Sequence, residues 1–184
     1  MKKIYIDDQQ LKGMVLDIAR QLHHDNWRPD YIVGLVRGGL VPANMLSQYL
    51  NIPMNALHIS LRDGNESESN LWMAEDAFGY VPQEQQETIN SRWDPAFKKN
   101  ILIVDDINDT GATMNWLQAD WQSSCLPNET YVWDKVWNNN VRFAVLVDNS
   151  SSEAQMTMDY SAMDINKAEQ DTWMVFPWEQ WWRA

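Results

Sequence analysis

The sequence predicts an α/β protein with a mostly parallel β-sheet flanked by helices. Short apolar runs rich in β-branched residues alternate along the chain with segments of helical periodicity, which is the pattern of an α/β fold. The strongest run, Ile-Leu-Ile-Val at 101–104, is uninterrupted, as is typical of a central parallel strand buried on both faces. The chain has 184 residues, of which 45% are hydrophobic and 22% are charged, so we predict one globular domain over 1–184.

The individual elements follow from local patterns. A first helix is predicted after Asp7 or Asp8, either of which can cap it, and its apolar positions recur at helical spacing. A second helix is expected to begin near Pro42, which suits a first turn, and to reach about Leu50. A third helix is predicted from Thr113 to about Gln122. The predicted strands are 4–6, 31–36, 54–61, 101–104, 141–147 and 174–176.

Residues 62–99 differ in character from the rest of the chain. The stretch is polar and rich in turn residues at 62–70, is polar again at 83–87, and is broken at Asp94-Pro95. A structureless segment of this length would be unusual inside a compact domain. We therefore expect an inserted flap, a flexible lid over an active site, or a small subdomain.

Charge and cysteine usage exclude several classes of protein. The formal net charge of −12 argues against a nucleic-acid binder and against docking on anionic membranes, because both call for a basic surface. It leaves room for a small phosphorylated ligand, which needs only local donors. The lone Cys125 excludes an internal disulfide, and no apolar run approaches the length of a membrane span. We predict a cytoplasmic protein.

The segment 101–113 is the one that indicates chemistry. A buried strand leads into the adjacent carboxylates Asp105 and Asp106, and a loop with Asp109, Thr110 and Gly111 then opens a helix. Ligands of open α/β sheets bind outside the carboxyl ends of the strands. Loop amides and hydroxyls at a helix start suit an anion, and paired carboxylates suit sugar hydroxyls or Mg²⁺. The pattern therefore favours a sugar phosphate as ligand.

Three other interpretations of this segment were weighed. A strand end with solvated acids would explain a lone Asp-Asp pair but not the whole thirteen-residue pattern. Response-regulator receivers also carry two aspartates after an apolar run, but there the pair closes the first strand, whereas Asp105 and Asp106 lie mid-chain. The second acidic motif of P-loop nucleotidases requires a G-x-x-x-x-G-K-[ST] loop, which this sequence lacks.

The segment Val104-Asp105-Asp106-Ile107-Asn108-Asp109-Thr110-Gly111-Ala112-Thr113 resembles the phosphoribosyl pyrophosphate (PRPP) signature of the type I phosphoribosyltransferases. The run 34–42, Gly-Leu-Val-Arg-Gly-Gly-Leu-Val-Pro, is similar to the pyrophosphate loop of that family. The run 171–179, Asp-Thr-Trp-Met-Val-Phe-Pro-Trp-Glu, resembles the purine-binding tail of the xanthine–guanine and hypoxanthine (6-oxopurine) enzymes, so 160–184 is expected to be a base-binding tail. The three segments keep the family's order, while 62–99 has no convincing counterpart.

The resemblance implies how PRPP would be held. Asp105 and Asp106 would hold the ribose hydroxyls, directly or through Mg²⁺, and Glu179 lies where the family has an acid near the metal. Arg37 and Gly38 would contact pyrophosphate, at a place where the family often has a non-proline cis peptide. The 5-phosphate would be bound by the signature loop, Asp109, Thr110, Gly111, Ala112 and Thr113. Asp109 would also be the catalytic general acid/base facing N7 of a purine.

The resemblance is weaker on the side of the base. Trp173 would stack on the base and Met174 would read its edge through backbone groups. The purine enzymes use a lysine after the penultimate core strand to read the 6-oxo group, and here that position is Asn149. An amide can donate a hydrogen bond to an oxo group but lacks the charge, and it can equally accept one. Lys167, from the tail loop, could substitute for the missing lysine.

These inferences lead to one predicted function and two alternatives. We predict a Mg²⁺-dependent purine phosphoribosyltransferase of nucleotide metabolism and purine salvage that transfers the ribose 5-phosphate of PRPP to guanine, xanthine or hypoxanthine. The partners implied are PRPP and a nucleobase, with a homo-oligomer, a dimer or a tetramer, as the expected assembly. One alternative is a phosphoribosyltransferase for another base, such as a pyrimidine, which Asn149 keeps open. The other is a non-catalytic PRPP-sensing regulator.

Overall fold

A computed structural model describes residues 1–59 and 71–182. Over these residues the chain forms seven strands and six helices, and the first three strands are separated by helices as predicted. The strands are β1 Lys2–Tyr5, β2 Tyr31–Val36, β3 Met54–His58, β4 Ile101–Asn108, β5 Val141–Asn149, β6 Tyr160–Ile165 and β7 Thr172–Val175. The helices are α1 Asp8–His24, α2 Leu40–Leu50, α3 Leu71–Phe78, α4 Gln83–Ile89, α5 Ala112–Ser124 and α6 Thr130–Trp133.

Five of the strands form one parallel sheet in the order β3-β2-β4-β5-β6. β4 is central, with Val104 opposite Gly34 of β2 on one side and opposite Ala144 of β5 on the other. Because all pairs are parallel, the carboxyl ends of these strands meet at one edge. The predicted parallel sheet flanked by helices is confirmed.

Successive residues of β4 face two different cores. Ile101 and Ile103 pack on the side that carries α3, α5 and α6, whereas Leu102 and Val104 pack on the side that carries α1 and α2. Side chains of a strand point alternately to its two faces, so an apolar run of four residues contributes to both cores. The continuous apolar pattern at 101–104 therefore marks a strand with no solvent face, as predicted.

The start of α1 is fixed by a capping box. The carboxylate of Asp7 accepts a hydrogen bond from Gln10 N at 2.7 Å, and the Gln10 side chain accepts one from Asp7 N at 2.9 Å. Of the two caps that the sequence allowed, Asp7 is thus the one used. The predicted apolar face of this helix is buried in full, and comprises Leu11, Met14, Val15, Ile18, Ala19 and Leu22.

A second, two-stranded sheet joins distant parts of the chain. β1 pairs with β7 in parallel, with Lys3 opposite Trp173. Met174 and Phe176 pack into the core shared with α1, so this small sheet lies against the main one. The residues of the predicted base-binding tail are therefore held by the first strand.

The inserted region is only partly described, since residues 60–70 lie outside the described residues. The remainder of 62–99 contains α3, α4 and a 3-10 turn at Pro95–Phe97. α3 packs into the core through Met73, Ala74, Ala77 and Phe78. From residue 71 onward, the insertion is thus helical and anchored.

Several elements differ from the prediction: α3, α4 and α6 were not predicted as helices. β6 was not predicted, and β4 continues to Asn108, so Asp105 and Asp106 lie inside the strand and not just beyond it. Among the described residues, no helix is long and apolar enough to cross a membrane.

Candidate active site

The carboxyl edge of the main sheet brings together residues from four strands. The segment Arg37-Gly38 follows β2, the signature loop 109–113 follows β4, Asn149 ends β5, and Lys167 lies just beyond β6. Register places these ends side by side, since Asn108 is opposite Asp148 and Asn149 is opposite Ile165. The residues that the sequence singled out for PRPP therefore share one edge.

Gly38 lies directly against Asp106. A Cβ atom added to Gly38 would overlap the Asp106 carboxylate, so a side chain at this position would displace either the loop or the acid. The peptide bond between Val36 and Arg37 is cis, and the Arg37 side chain is exposed. The loop after β2 and the acidic pair on β4 thus line the same space.

The carboxyl of Asp106 has a raised pKa of about 6. Burial is the main cause, and the negative charge of Glu179 adds to it, although the hydrogen bond accepted from Ile107 N at 2.8 Å works in the opposite direction. The effect of Glu179 places this acid of the tail within electrostatic range of the pair. Asp106 N also donates to Asp105 Oδ1 at 2.9 Å, which fixes the two acids relative to one another.

The donor set on β4 fits Mg²⁺. Within residues 1–59 and 71–182, no group of three or more His, Cys, Asp or Glu side chains forms a closed metal site. Magnesium is usually held by only one or two carboxylates, together with water and substrate phosphates. Asp105 and Asp106, adjacent on β4, provide hard oxygen ligands of that kind, and the charge of Glu179 adds to the raised pKa of Asp106.

The loop 109–113 forms the start of α5. Gly111 has a φ of +84°, and a Cβ atom there would overlap the backbone of Ala154. The segment after β5 is hydrogen-bonded to this loop, because Glu153 N donates to Thr110 O at 3.0 Å. Amides in the first turn of a helix lack carbonyl partners within the helix, so this loop offers an anion backbone donors as well as the Thr110 and Thr113 hydroxyls.

Asp109 is paired with Lys167. Asp109 Oδ1 lies 2.7 Å from Lys167 Nζ, with side-chain exposures of 23% and 20%. Asn149 links the same two residues through their backbones: its Nδ2 donates to Asp109 O at 2.7 Å, and its Oδ1 accepts from Lys167 N at 3.0 Å. Three side chains from three elements therefore form one hydrogen-bonded unit.

The tail residues approach this unit from the small sheet. Trp173 is 39% exposed, and Lys167 Nζ lies 5.9 Å from its ring centroid, within range of a cation–π contact. Met174 is buried, and Glu179 Oε2 accepts a hydrogen bond from Phe176 N at 3.2 Å. The tail thus contributes an open aromatic face beside Lys167 and an acid near Asp106.

One residue of the site had no signal in the sequence analysis beyond lying inside the motif. Asn108 is 4% exposed, and its Nδ2 donates to Asp148 Oδ1 at 2.8 Å and to Ser152 Oγ at 2.9 Å. It ties the end of β4 to the segment after β5. A buried asparagine at a strand end, next to a polar loop, is the pattern by which it could have been found.

The fold and this edge together define an α/β protein whose candidate ligand site lies outside the carboxyl ends of its parallel strands. The loop that opens α5 presents backbone donors that suit an anion there. The chain belongs to the phosphoribosyl transferase family, because residues 4–180 match the phosphoribosyl transferase domain. The family resemblance predicted from the signature is thereby confirmed.

Curated relatives match the chain over nearly its whole length. Xanthine phosphoribosyltransferase 1 of Saccharomyces cerevisiae is 22% identical, over 97% of this chain and 90% of its own. Xanthine-guanine phosphoribosyltransferase of Idiomarina loihiensis is 27% identical, over 97% of this chain and 88% of its own.

Solved structures show the same fold. The xanthine-guanine-hypoxanthine phosphoribosyltransferase of Helicobacter pylori superposes with a TM-score of 0.64 at 17% identity, covering 98% of this chain and 96% of its own. A purine phosphoribosyltransferase from Pyrococcus horikoshii gives a TM-score of 0.61 at 22% identity, covering 97% and 95%. These structures show that the chain has the fold of a phosphoribosyltransferase.

Proposed function

We propose that this chain is a phosphoribosyltransferase that transfers the ribose 5-phosphate of PRPP to a 6-oxopurine and releases pyrophosphate. The observation that carries the proposal is the position of Asp109 at the start of the anion loop, with its carboxylate 2.7 Å from the Nζ atom of Lys167, which in turn lies 5.9 Å from the ring centroid of Trp173. The names of the relatives, which act on xanthine, guanine or hypoxanthine, agree with it.

PRPP is held by three groups of residues in this proposal. The 5-phosphate accepts hydrogen bonds from the amides and hydroxyls of 110–113, where the α5 dipole favours an anion. The ribose hydroxyls donate to Asp105 and Asp106. Arg37 and the backbone of Gly38 bind the pyrophosphate. Gly38 suits this role because its lack of a side chain lets the loop lie against Asp106.

The proposed cofactor is Mg²⁺, bound by Asp105 and Asp106, with Glu179 as a nearby acid. When bound, the ion would neutralise charge on the departing pyrophosphate. What supports this assignment is the donor set itself, in which burial and the charge of Glu179 raise the pKa of Asp106. A cation relieves that repulsion, whereas a neutral ligand does not.

The chemical step then depends on Asp109 and Trp173. As a ring nitrogen of the base attacks C1 of the ribose, the C1–pyrophosphate bond breaks and the proton on N7 passes to the Asp109 carboxylate. Trp173 supplies a stacking surface for the purine, and the exposed fraction of its ring fits that use. The backbone of Met174, next to it on β7, reads the edge of the base in this proposal.

A pyrophosphate-release assay tests the proposal. The parent chain is mixed with PRPP, Mg²⁺ and a panel of 6-oxopurines, adenine and pyrimidines, with and without a chelator. We expect release that requires both an oxopurine and the metal. If no base in the panel supports pyrophosphate release, the proposed function is refuted and a PRPP-binding regulator is favoured. Release with pyrimidines alone would assign a different base.

The same assay tests the role of Asp109. We expect Asp109→Asn to keep PRPP binding and to lower kcat by about 10²–10⁴, the usual contribution of a general acid or base. Asp134→Asn removes one carboxylate from an exposed position after α6 and should leave kcat unchanged. Near-normal turnover in Asp109→Asn would remove this residue from the mechanism.

We also propose a cytoplasmic homo-oligomer. Cys125 is a free buried thiol, as suits a reducing compartment. Several large aromatic side chains remain exposed, including Tyr5, Tyr49, Trp181 and Trp182, and such residues are enriched at protein contacts. Light scattering on the purified chain should give the mass of a dimer or a tetramer, and a monomeric mass would contradict this part of the proposal.

A further inference from the structure

Lys167 lies between an acid and an aromatic ring of the candidate site. Its Nζ is 2.7 Å from Asp109 Oδ1 and 5.9 Å from the centroid of the Trp173 ring. Only 20% of the side chain is exposed, so the charge is largely withdrawn from water although it belongs to a loop. Burying part of a lysine charge costs free energy unless neighbouring groups interact with it. Here a carboxylate and an open aromatic face do so.

The backbone of Lys167 is fixed as well. Its N–H donates to Asn149 Oδ1 at 3.0 Å, and Asn149, 4% exposed, donates in turn to Asp109 O at 2.7 Å. Asn149 Oδ1 also accepts from Ser151 N and Ser151 Oγ at 3.2 and 2.8 Å. The Asn149 oxygen is fully used inside the protein, and the residue acts as a brace between the loop after β4 and the loop after β6.

The donor and acceptor of the pair Lys167–Asp109 are complementary to those of one edge of a 6-oxopurine. A 6-oxopurine carries its oxo oxygen next to N7, and the free base can carry a proton on N7. An ammonium donates to the oxo oxygen while the adjacent carboxylate accepts from N7–H. A 6-aminopurine would instead direct an N–H of its amino group at the ammonium, leaving two donors facing one another.

Building on the proposed function, we propose that Lys167 is the specificity-determining residue of this chain and reads the 6-oxo group from the β6–β7 loop. Asn149 is then a positioning residue, which holds the backbones of Lys167 and Asp109 at the separation the base requires. In the free protein, Lys167 donates to the Asp109 carboxylate. When the base binds, Lys167 donates to the oxo oxygen. Trp173 keeps the ring of the base in the plane of both charges.

Lys167→Met keeps the length of the side chain and removes only the ammonium. We expect the KM for guanine, hypoxanthine or xanthine to rise about 10-fold to 100-fold, as for a lost hydrogen bond to a charged group. The KM for PRPP should change less than about 2-fold, and the preference for oxopurines over adenine should collapse. Lys12→Met, an exposed lysine of α1 with the same charge change, is the matched control and should match the parent chain.

Chemical rescue tests whether the ammonium itself is responsible. Lys167→Cys should show the same rise in KM, and alkylation with bromoethylamine, which rebuilds a lysine-like ammonium, should bring KM and base preference back to within about 3-fold of the parent. Cys125 is 5% exposed and should escape the reagent, and the parent chain treated in the same way controls for it.

The outcomes separate this inference from the proposed function. An active parent chain whose KM for oxopurines and base preference survive Lys167→Met would overturn the role of Lys167 alone. A parallel rise in the KM for PRPP, or no recovery after alkylation, would show a structural lysine and overturn it too. A parent chain that turns over no base at all would overturn both proposals, and one that prefers adenine would overturn the inference while leaving phosphoribosyl transfer in place.

Discussion

Burial raises the pKa of Asp106 and of Cys125, with opposite consequences. At Asp106, the pKa rises to about 6, which means that its charged form is disfavoured in the free protein. A cation or a hydroxyl donor bound at this edge of the sheet would stabilise that form. At Cys125, burial is again the main cause, with smaller contributions from Glu75 and Asp120, and the pKa rises to about 12. The Asp106 carboxyl is thus suited to bind a ligand, whereas the Cys125 thiol is expected to be unreactive.

This difference predicts an inert thiol. At mildly alkaline pH, Cys125 should react with Ellman's reagent at least about 10²-fold more slowly in the native chain than in concentrated guanidinium chloride, because the thiolate is both scarce and buried. Stopped-flow absorbance measures both rates. Equal rates would show that the thiol is open to solvent, which would also weaken the alkylation control for Lys167.

Among the elements, α5 depends most on one residue. Gly111 sits at its start with φ +84°, against the backbone of Ala154. An L residue with a side chain is disfavoured both by the φ angle and by the lack of space. The loop therefore reaches its form only with glycine at this position.

Gly111→Ala should lower the free energy of unfolding by about 2 kcal/mol or more and weaken PRPP binding, because the loop must shift away from Ala154. Gly13→Ala is the matched control. Gly13 lies inside α1 with nothing near its missing Cβ atom, so the same change should there stabilise the chain by about 0.5–1 kcal/mol. Urea unfolding measures both variants, and equal effects would contradict the argument.

Elements with a strong local signal were predictable, and those that depend on partners were not. The cap at Asp7 and the apolar run at 101–104 carry their structure in their own residues. β6, Tyr-Ser-Ala-Met-Asp-Ile, has neither alternation nor a β-rich run, and it is a strand because it pairs with β5. Residues 71–78 were predicted only as part of an insertion, since the apolar face of α3 is short.

The candidate site shows the same limit at the scale of the whole molecule. The contiguous loop 109–113 could be recognised because its chemistry lies in one stretch of sequence. The contacts of Asp109 with Asn149 and Lys167 could not be placed, because they require β5 and β6 to be neighbours in register. Lys167 could be suggested as a substitute cation, but its distance from Asp109 is a product of the fold.

The core on the side of the sheet that carries α3, α5 and α6 holds several of the tryptophans. Trp133 is 1% exposed, stacks on Trp137 with ring centroids 5.3 Å apart, and donates from Nε1 to Cys125 O at 3.0 Å. Trp121 and Phe143 complete an aromatic layer around Trp137. Trp133 and Trp137 are thus packed inside one chain.

Trp133→Ala should lower the free energy of unfolding by about 3–5 kcal/mol, because it leaves a large cavity and an unpaired carbonyl. Trp182→Ala, at a side chain that is 61% exposed, should change it by less than about 0.5 kcal/mol. Denaturation followed by far-ultraviolet circular dichroism avoids the loss of a fluorophore. A cost below about 1 kcal/mol for Trp133→Ala would show that the aromatic layer is not part of the stabilising core.

The pairing of β1 with β7 has a consequence for the order in which the protein matures during synthesis. Lys2 is opposite Thr172, about 170 residues further along, and Trp173 belongs to the later strand. A ribosome releases Lys2–Tyr5 long before Thr172–Val175, so β1 cannot pair until the residues between the two strands have emerged. The residues of the anion loop at 109–113 emerge earlier, whereas the surface proposed for the base takes shape only when β7 has been synthesised and pairs with β1.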